Sequence, residues 1–153
     1  MPTDIAFFLA PDDKIAAATR PNGPGSGLAA VICHDFDPEE AVVEWQTYFA
    51  APAGHFPLWK QLRAAKWPRY AAPLLNDGIV VFALPKKLTA ALAGATPGEL
   101  RELAARWCEG LRLADGEDMT DDDPLTVLEG VARLAATAGG PDGGGLRLYC
   151  WYY

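Results

Sequence analysis

GIVVFAL, Gly78 to Leu84, is the stretch on which the fold turns. Every position after the glycine is apolar, which predicts a central strand covered on both faces. Asn76-Asp77-Gly78 reads as the turn leading in, and Pro85 as the stop. Outward from it, LRLYCWYY (Leu146 to Tyr153) predicts a second strand docked in the same sheet. A segment this aromatic would be an aggregation hazard if left free. Asp4 to Leu9 supplies isoleucine and two phenylalanines for a pleated surface, and Leu28 to His34 reads as a further strand.

Helix signals fill the intervals. Pro11-Asp12-Asp13 ends the first strand and opens a short helical segment through Ala18. The glycine- and proline-rich run Pro21 to Gly27 reads as a loop. At Asp37-Pro38-Glu39-Glu40, aspartate can cap, proline suits the first helical position and Glu40 can close a capping box. Val42, Trp45 and Phe49 follow at helical spacing. Shorter helices are expected over Leu58 to Ala65 and Lys86 to Ala93. Thr96 and Glu99 repeat the capping logic before Leu100, Leu103, Ala104, Trp107 and Leu111. Asp123-Pro124 opens the last helix, with Leu125, Leu128, Val131, Ala132 and Ala135 inward. Gly130 there weakens the helix by about 1 kcal/mol relative to alanine or marks a close packing point. The expectation is one α+β domain over residues 1–153, with about four strands in a mixed or antiparallel sheet and helices mainly on one face.

Composition bounds the function classes. The chain has 153 residues, half of them apolar, so a core can form without disulfides or metal. Thirteen Lys and Arg against 20 Asp and Glu give a net charge of −7. That balance argues against nucleic acid, whose binding needs phosphates neutralised by Lys and Arg, and favours a basic protein partner. The apolar run Ile5 to Ala10 is short for a signal peptide or a membrane span, so the expected compartment is the cytoplasm, with no membrane partner. Cys33, Cys108 and Cys150 form no C-x-x-C pair and read as reduced thiols.

The C-terminal half resembles a set of small actinobacterial proteins of unknown function. The resemblance rests on a strand (Val80 to Leu84), an L-x-x-L-A-x-x-W helix (Leu100 to Trp107), an acid-started helix (Asp123 to Ala136) and the terminal Leu148-Tyr149-Cys150-Trp151. FFLAPDD and Phe36 to Pro38 also fit. The arrangement is more distantly similar to the YfbM-like domain of unknown function. Both resemblances imply an α+β fold, and neither transfers a catalytic residue.

Three constellations bear on chemistry. Asp115, Glu117, Asp118, Asp121, Asp122 and Asp123 are dense enough for a hard cation, but their spacing misses the alternating pattern of a calcium loop. They read as a solvated loop whose last aspartates favour a helix N-terminus, and no metal or other cofactor is expected. Cys33 and His34 are strand neighbours and point to opposite faces, which leaves His55 as the cysteine's only histidine candidate. The third is a charge asymmetry. From Trp45 to Asn76 there is no acidic residue, and with the chain at −7 this segment's +4 leaves −11 elsewhere. Trp59, Lys60, Arg63, Lys66, Trp67, Arg69 and Tyr70 interleave aromatic and basic side chains there, a composition suited to phosphate, a single strand of nucleic acid or an acidic protein surface. The alternative is tryptophans in the core with charges reaching outward, or pairing of this face with the chain's own acidic loop. The expected function is a non-catalytic protein-binding module of the accessory or immunity type. A small metal-assisted enzyme and a weak nucleic-acid binder through residues 59–70 are the alternatives.

Overall fold

All six residues of β1 (Ile5–Ala10) are buried. The computed structural model, which describes residues 4–50, 67–115, 123–139 and 145–153, explains this by giving β1 a neighbour on each side. β2 (Ala30–Cys33) and β5 (Arg147–Tyr152) both pair with it antiparallel, and β4 (Val80–Ala83) and the two-residue β3 (Arg69–Tyr70) extend the sheet in the order β2-β1-β5-β4-β3. The expected single α+β domain holds, with five antiparallel strands where the sequence suggested about four. The added strand is β3, which is short, charged and preceded by Pro68, and so carries no strand signal. β4 is an inner strand covered on both faces, but β5 takes the middle place. The helix expected over Leu58 to Ala65, the acidic residues Glu117 to Asp122 and most of the last glycine-rich turn lie outside the described residues.

Side chains alternate across the sheet. Ile5, Phe7, Leu9, Cys33, Phe82, Leu148 and Cys150 line one face, and α2 (Pro38–Ala50), α3 (Lys86–Ala93), α4 (Pro97–Asp115) and α5 (Pro124–Gly139) close over them. At its centre Trp45 and Trp107 meet edge to face at 5.1 Å, flanked by Phe7 and Phe36. Phe8, Ala10, Val81, Ala83 and Tyr149 line the other face, covered by Ala16 of the short α1 (Asp13–Ala18) and by Ala72. Among the described helices, four of the five therefore pack on one face, as expected.

The caps follow the sequence. Thr96 and Glu99 form the reciprocal box: each backbone N–H donates to the other's side chain, at 3.0 and 3.1 Å. Asp37 accepts from the Glu39 and Glu40 amides, Asp12 from the Ile15 amide, and Asp123 from the Thr126 amide and hydroxyl. Asp123 thus takes the helix-capping role expected of the acidic run's last residue.

Gly130 is a close packing point. A Cβ there would lie 3.0 and 3.1 Å from the two methyl carbons of Val31. Alanine would gain about 1 kcal/mol of helix propensity but overpack the contact by about 1–3 kcal/mol. Gly130→Ala is expected to lower stability by about 1 kcal/mol on that balance. The double variant with Val31→Ala should be more stable than the two single losses added together. Urea unfolding of the four proteins measures this; a stabilising Gly130→Ala would disprove the tight contact.

Candidate functional site

The seven residues expected to form an aromatic and basic patch divide in two. Trp59, Lys60, Arg63 and Lys66 lie outside the described residues. Trp67, Arg69 and Tyr70 do not share a surface. Trp67, joined to Pro68 by a cis peptide bond, is half-buried against the main core with its ring edge-on to Phe82 at 5.5 Å. Arg69 and Tyr70 are consecutive in β3 and so leave opposite faces of the sheet.

Each makes an intramolecular bond on its own face. Arg69 forms a forked pair with Asp13 of α1, at 2.6 and 3.1 Å. The buried Tyr149 donates its hydroxyl to the same carboxylate at 2.7 Å. The Arg69 hydrogen bond, then that of Tyr149, hold the Asp13 carboxyl at about 2. Burial first, then the bond to Asp13, push the Tyr149 phenol up to about 12. On the helix face, Tyr70 donates to Glu39 at 2.9 Å and Tyr152 donates to its other oxygen at 3.3 Å. Burial, followed by Glu39, pushes Tyr70 up to about 12. Arg69 thus pairs with Asp13 of α1, not with the acidic loop that the sequence offered as its intramolecular partner.

The segment after β3 carries a surface that sequence patterning did not mark. Between β3 and β4 the chain runs Ala71 to Ile79, and Leu74 and Leu75 in it are 55% and 61% exposed. The hairpin is well tied down. Ala71 donates to the Val81 carbonyl at 2.9 Å, Arg20 reaches Asp77 at 2.6 Å, and Asp77 also accepts from the Ile79 amide. Asn76 and Gly78 adopt positive φ at 59° and 85°, conformations suited to asparagine and glycine, and the Tyr153 ring packs on Gly78. Tyr70, Leu74, Leu75 and Tyr153 are four of the six exposed large apolar residues among those described, so such exposure centres on this hairpin. The one signal in the sequence was a leucine pair between Pro73 and a turn, with no helical or strand period to account for it.

The other constellations are placed plainly. Cys33 and Cys150 are buried on the helix face outside any disulfide, and burial pushes the Cys150 thiol well up. A thiol so raised holds little thiolate at neutral pH and is a poor nucleophile. His34 is exposed while Cys33 is buried, and His55 lies outside the described residues. Among the described residues no group of three or more His, Cys, Asp or Glu could hold a metal ion, and no helix is long and apolar enough to cross a membrane. No family model, curated protein or solved structure matches the chain.

The Asp13 cluster sets a pH dependence. A depressed carboxyl contributes stability above its unfolded value near 3.8, and that contribution fades as pH falls toward about 2. The stability advantage of the native chain over Asp13→Asn should be constant above about pH 5 and shrink between about pH 4 and 2. Because both partners are partly exposed, the ion pair contributes at most about 1 kcal/mol. Thermal melts of both proteins across that range check it; an advantage that grows on acidification would contradict the pairing.

Proposed function

We propose that the chain is a non-catalytic protein-binding module, of the accessory or immunity type, that presents the β3–β4 hairpin to a basic partner. The observation that carries this is two adjacent exposed leucines on a hairpin fixed by hydrogen bonds at both ends. Scattered exposed leucines are ordinary, but several large apolar side chains around one ordered turn match the anchor residues of protein interfaces. A fixed loop also loses little entropy when it binds. The basic character of the partner follows from charge. The chain is −7, and Asp35, Asp37, Glu39 and Glu40 crowd the sequence around the start of α2, where Tyr70 bonds Glu39. The exposed β3–β4 leucines are preferred to Arg69 and Trp67 as contact residues, since Arg69 is tied to Asp13 and Trp67 packs on the core.

Affinity enrichment from the native host, comparing the native chain with a Leu74→Glu/Leu75→Glu variant, tests the reading. Retention of specific, basic proteins is expected to fall at least about tenfold, a loss of about 1.4 kcal/mol. Substitutions at such exposed positions change stability by within about 0.5 kcal/mol, so the melting temperature should be nearly unchanged. Equal retention by both proteins would overturn the hairpin as the contact surface.

A further inference from the structure

We propose that β2 pairs antiparallel with β2 of a second copy of the chain, making a weak two-fold dimer with a continuous ten-stranded sheet. The contact lies at the β2 edge of the sheet, at the opposite margin from the hairpin. The hydrogen bond from the Leu9 amide to the Ala29 carbonyl, at 3.0 Å, fixes the phase of the β1–β2 ladder. With Phe7 opposite Val31 and Ile5 opposite Cys33, the main-chain groups of residues 29, 31 and 33 point at β1. Those of Ala30 and Ile32 therefore point outward from the sheet's edge. Both residues are exposed, Ile32 at 58%. The opposite edge differs. By the same reasoning from the Ala71–Val81 bond, β3 turns only Tyr70 outward, and β3 is two residues long. Charged edge residues blunt unwanted pairing, and β2 carries none, while it is twice the length of β3.

The occupant follows from charge and register. No charged residue lies between Pro21 and Cys33. A basic peptide, which the −7 chain would otherwise attract, meets no carboxylate along this edge. A second copy brings no like charges to the seam. Centring the two-fold axis at Val31 sets each Ala30 opposite the other copy's Ile32. The outward N–H and C=O groups of each then meet their counterparts, and a small side chain faces a large one. A four-residue strand buries well under the roughly 1,200 Å² of a stable complex, so the dissociation constant should lie on the order of 10–100 μM. Because two −7 chains repel at longer range, added salt should strengthen the dimer. Binding of a basic partner by the hairpin should weaken with salt, so the two readings fail separately.

Sedimentation velocity from about 5 to 500 μM, with amide exchange read residue by residue, tests the proposal. Concentration-dependent dimerisation is expected, with protection rising at the Ala30 and Ile32 amides and unchanged at Val31, which already faces β1. Ile32→Pro removes an outward N–H without touching the β1 ladder, and Ile32→Lys places like charges at the seam. Each should raise the dissociation constant at least about tenfold. The lysine variant decides the matter if the proline variant misfolds. A monomer throughout the range would overturn the proposal. So would a dimer that persists in Ile32→Lys, or an edge that pairs only with a strand from a different protein.

Discussion

β5 lies between β1 and β4, so its side chains must suit two buried layers at once. Leu148 and Cys150 do this on the helix face with apolar atoms alone. Tyr149, Trp151 and Tyr152 are large enough to fill their layers but carry polar atoms that need partners, since a buried polar group left unpaired costs about 1–3 kcal/mol. Each finds its partner outside the sheet. Tyr149 donates to Asp13 at the start of α1, Trp151 to the Arg20 carbonyl just beyond α1, and Tyr152 to Glu39 in α2. One strand thereby sets where the first and second helices sit.

The same carboxylates fix the far edge. Asp13, oriented by Tyr149, receives Arg69, and Glu39, bonded by Tyr152, receives Tyr70. β3 pairs with β4 through only two residues, too few to hold register by main-chain bonds alone. Its alternating side chains supply a bond on each face of the sheet. These polar groups hold structure in place. Their hydrogen bonds run strand to helix, with a single carboxylate at the centre of each cluster.

Local features were legible because their physics is local. The Thr96–Glu99 box, the Asp37 and Asp123 caps and the buried stripe of α4 depend on spacings of three or four residues, and the fold class follows from them. The strand content of GIVVFAL and LRLYCWYY was equally plain, but their order was not, because both runs are apolar enough for the middle place. Arg69 and Asp13 are 56 residues apart, and Tyr149 and Asp13 are 136 apart. No periodicity connects such positions, so the sequence could offer Arg69 only the acidic loop as an internal partner, when the fold pairs it with Asp13. The exposed leucines failed for the opposite reason. A Leu-Leu pair ordinarily signals core, and only the fixed turn around it turns both outward.

The distribution of packing decides where this protein can meet anything else. The helix face of the sheet buries Trp45, Trp107 and Phe36 under four helices. The other face is covered by six residues of α1 and by the segments around Leu28 and Ala71, enough to bury Phe8, Val81 and Tyr149. Among the described residues, five of the six exposed large apolar side chains lie at the β3–β4 hairpin with the adjoining Tyr153 and at the β2 edge; Ile15 of α1 is the sixth. The hairpin and the β2 edge lie at opposite margins of the sheet, so occupying one leaves the other accessible. β2 is also held from beneath: Val31 packs into the space left by Gly130, which fixes α5 against the strand while Ala30 and Ile32 stay clear. The glycine that weakens α5 as a helix is therefore what lets the strand at the open edge keep its place in the sheet.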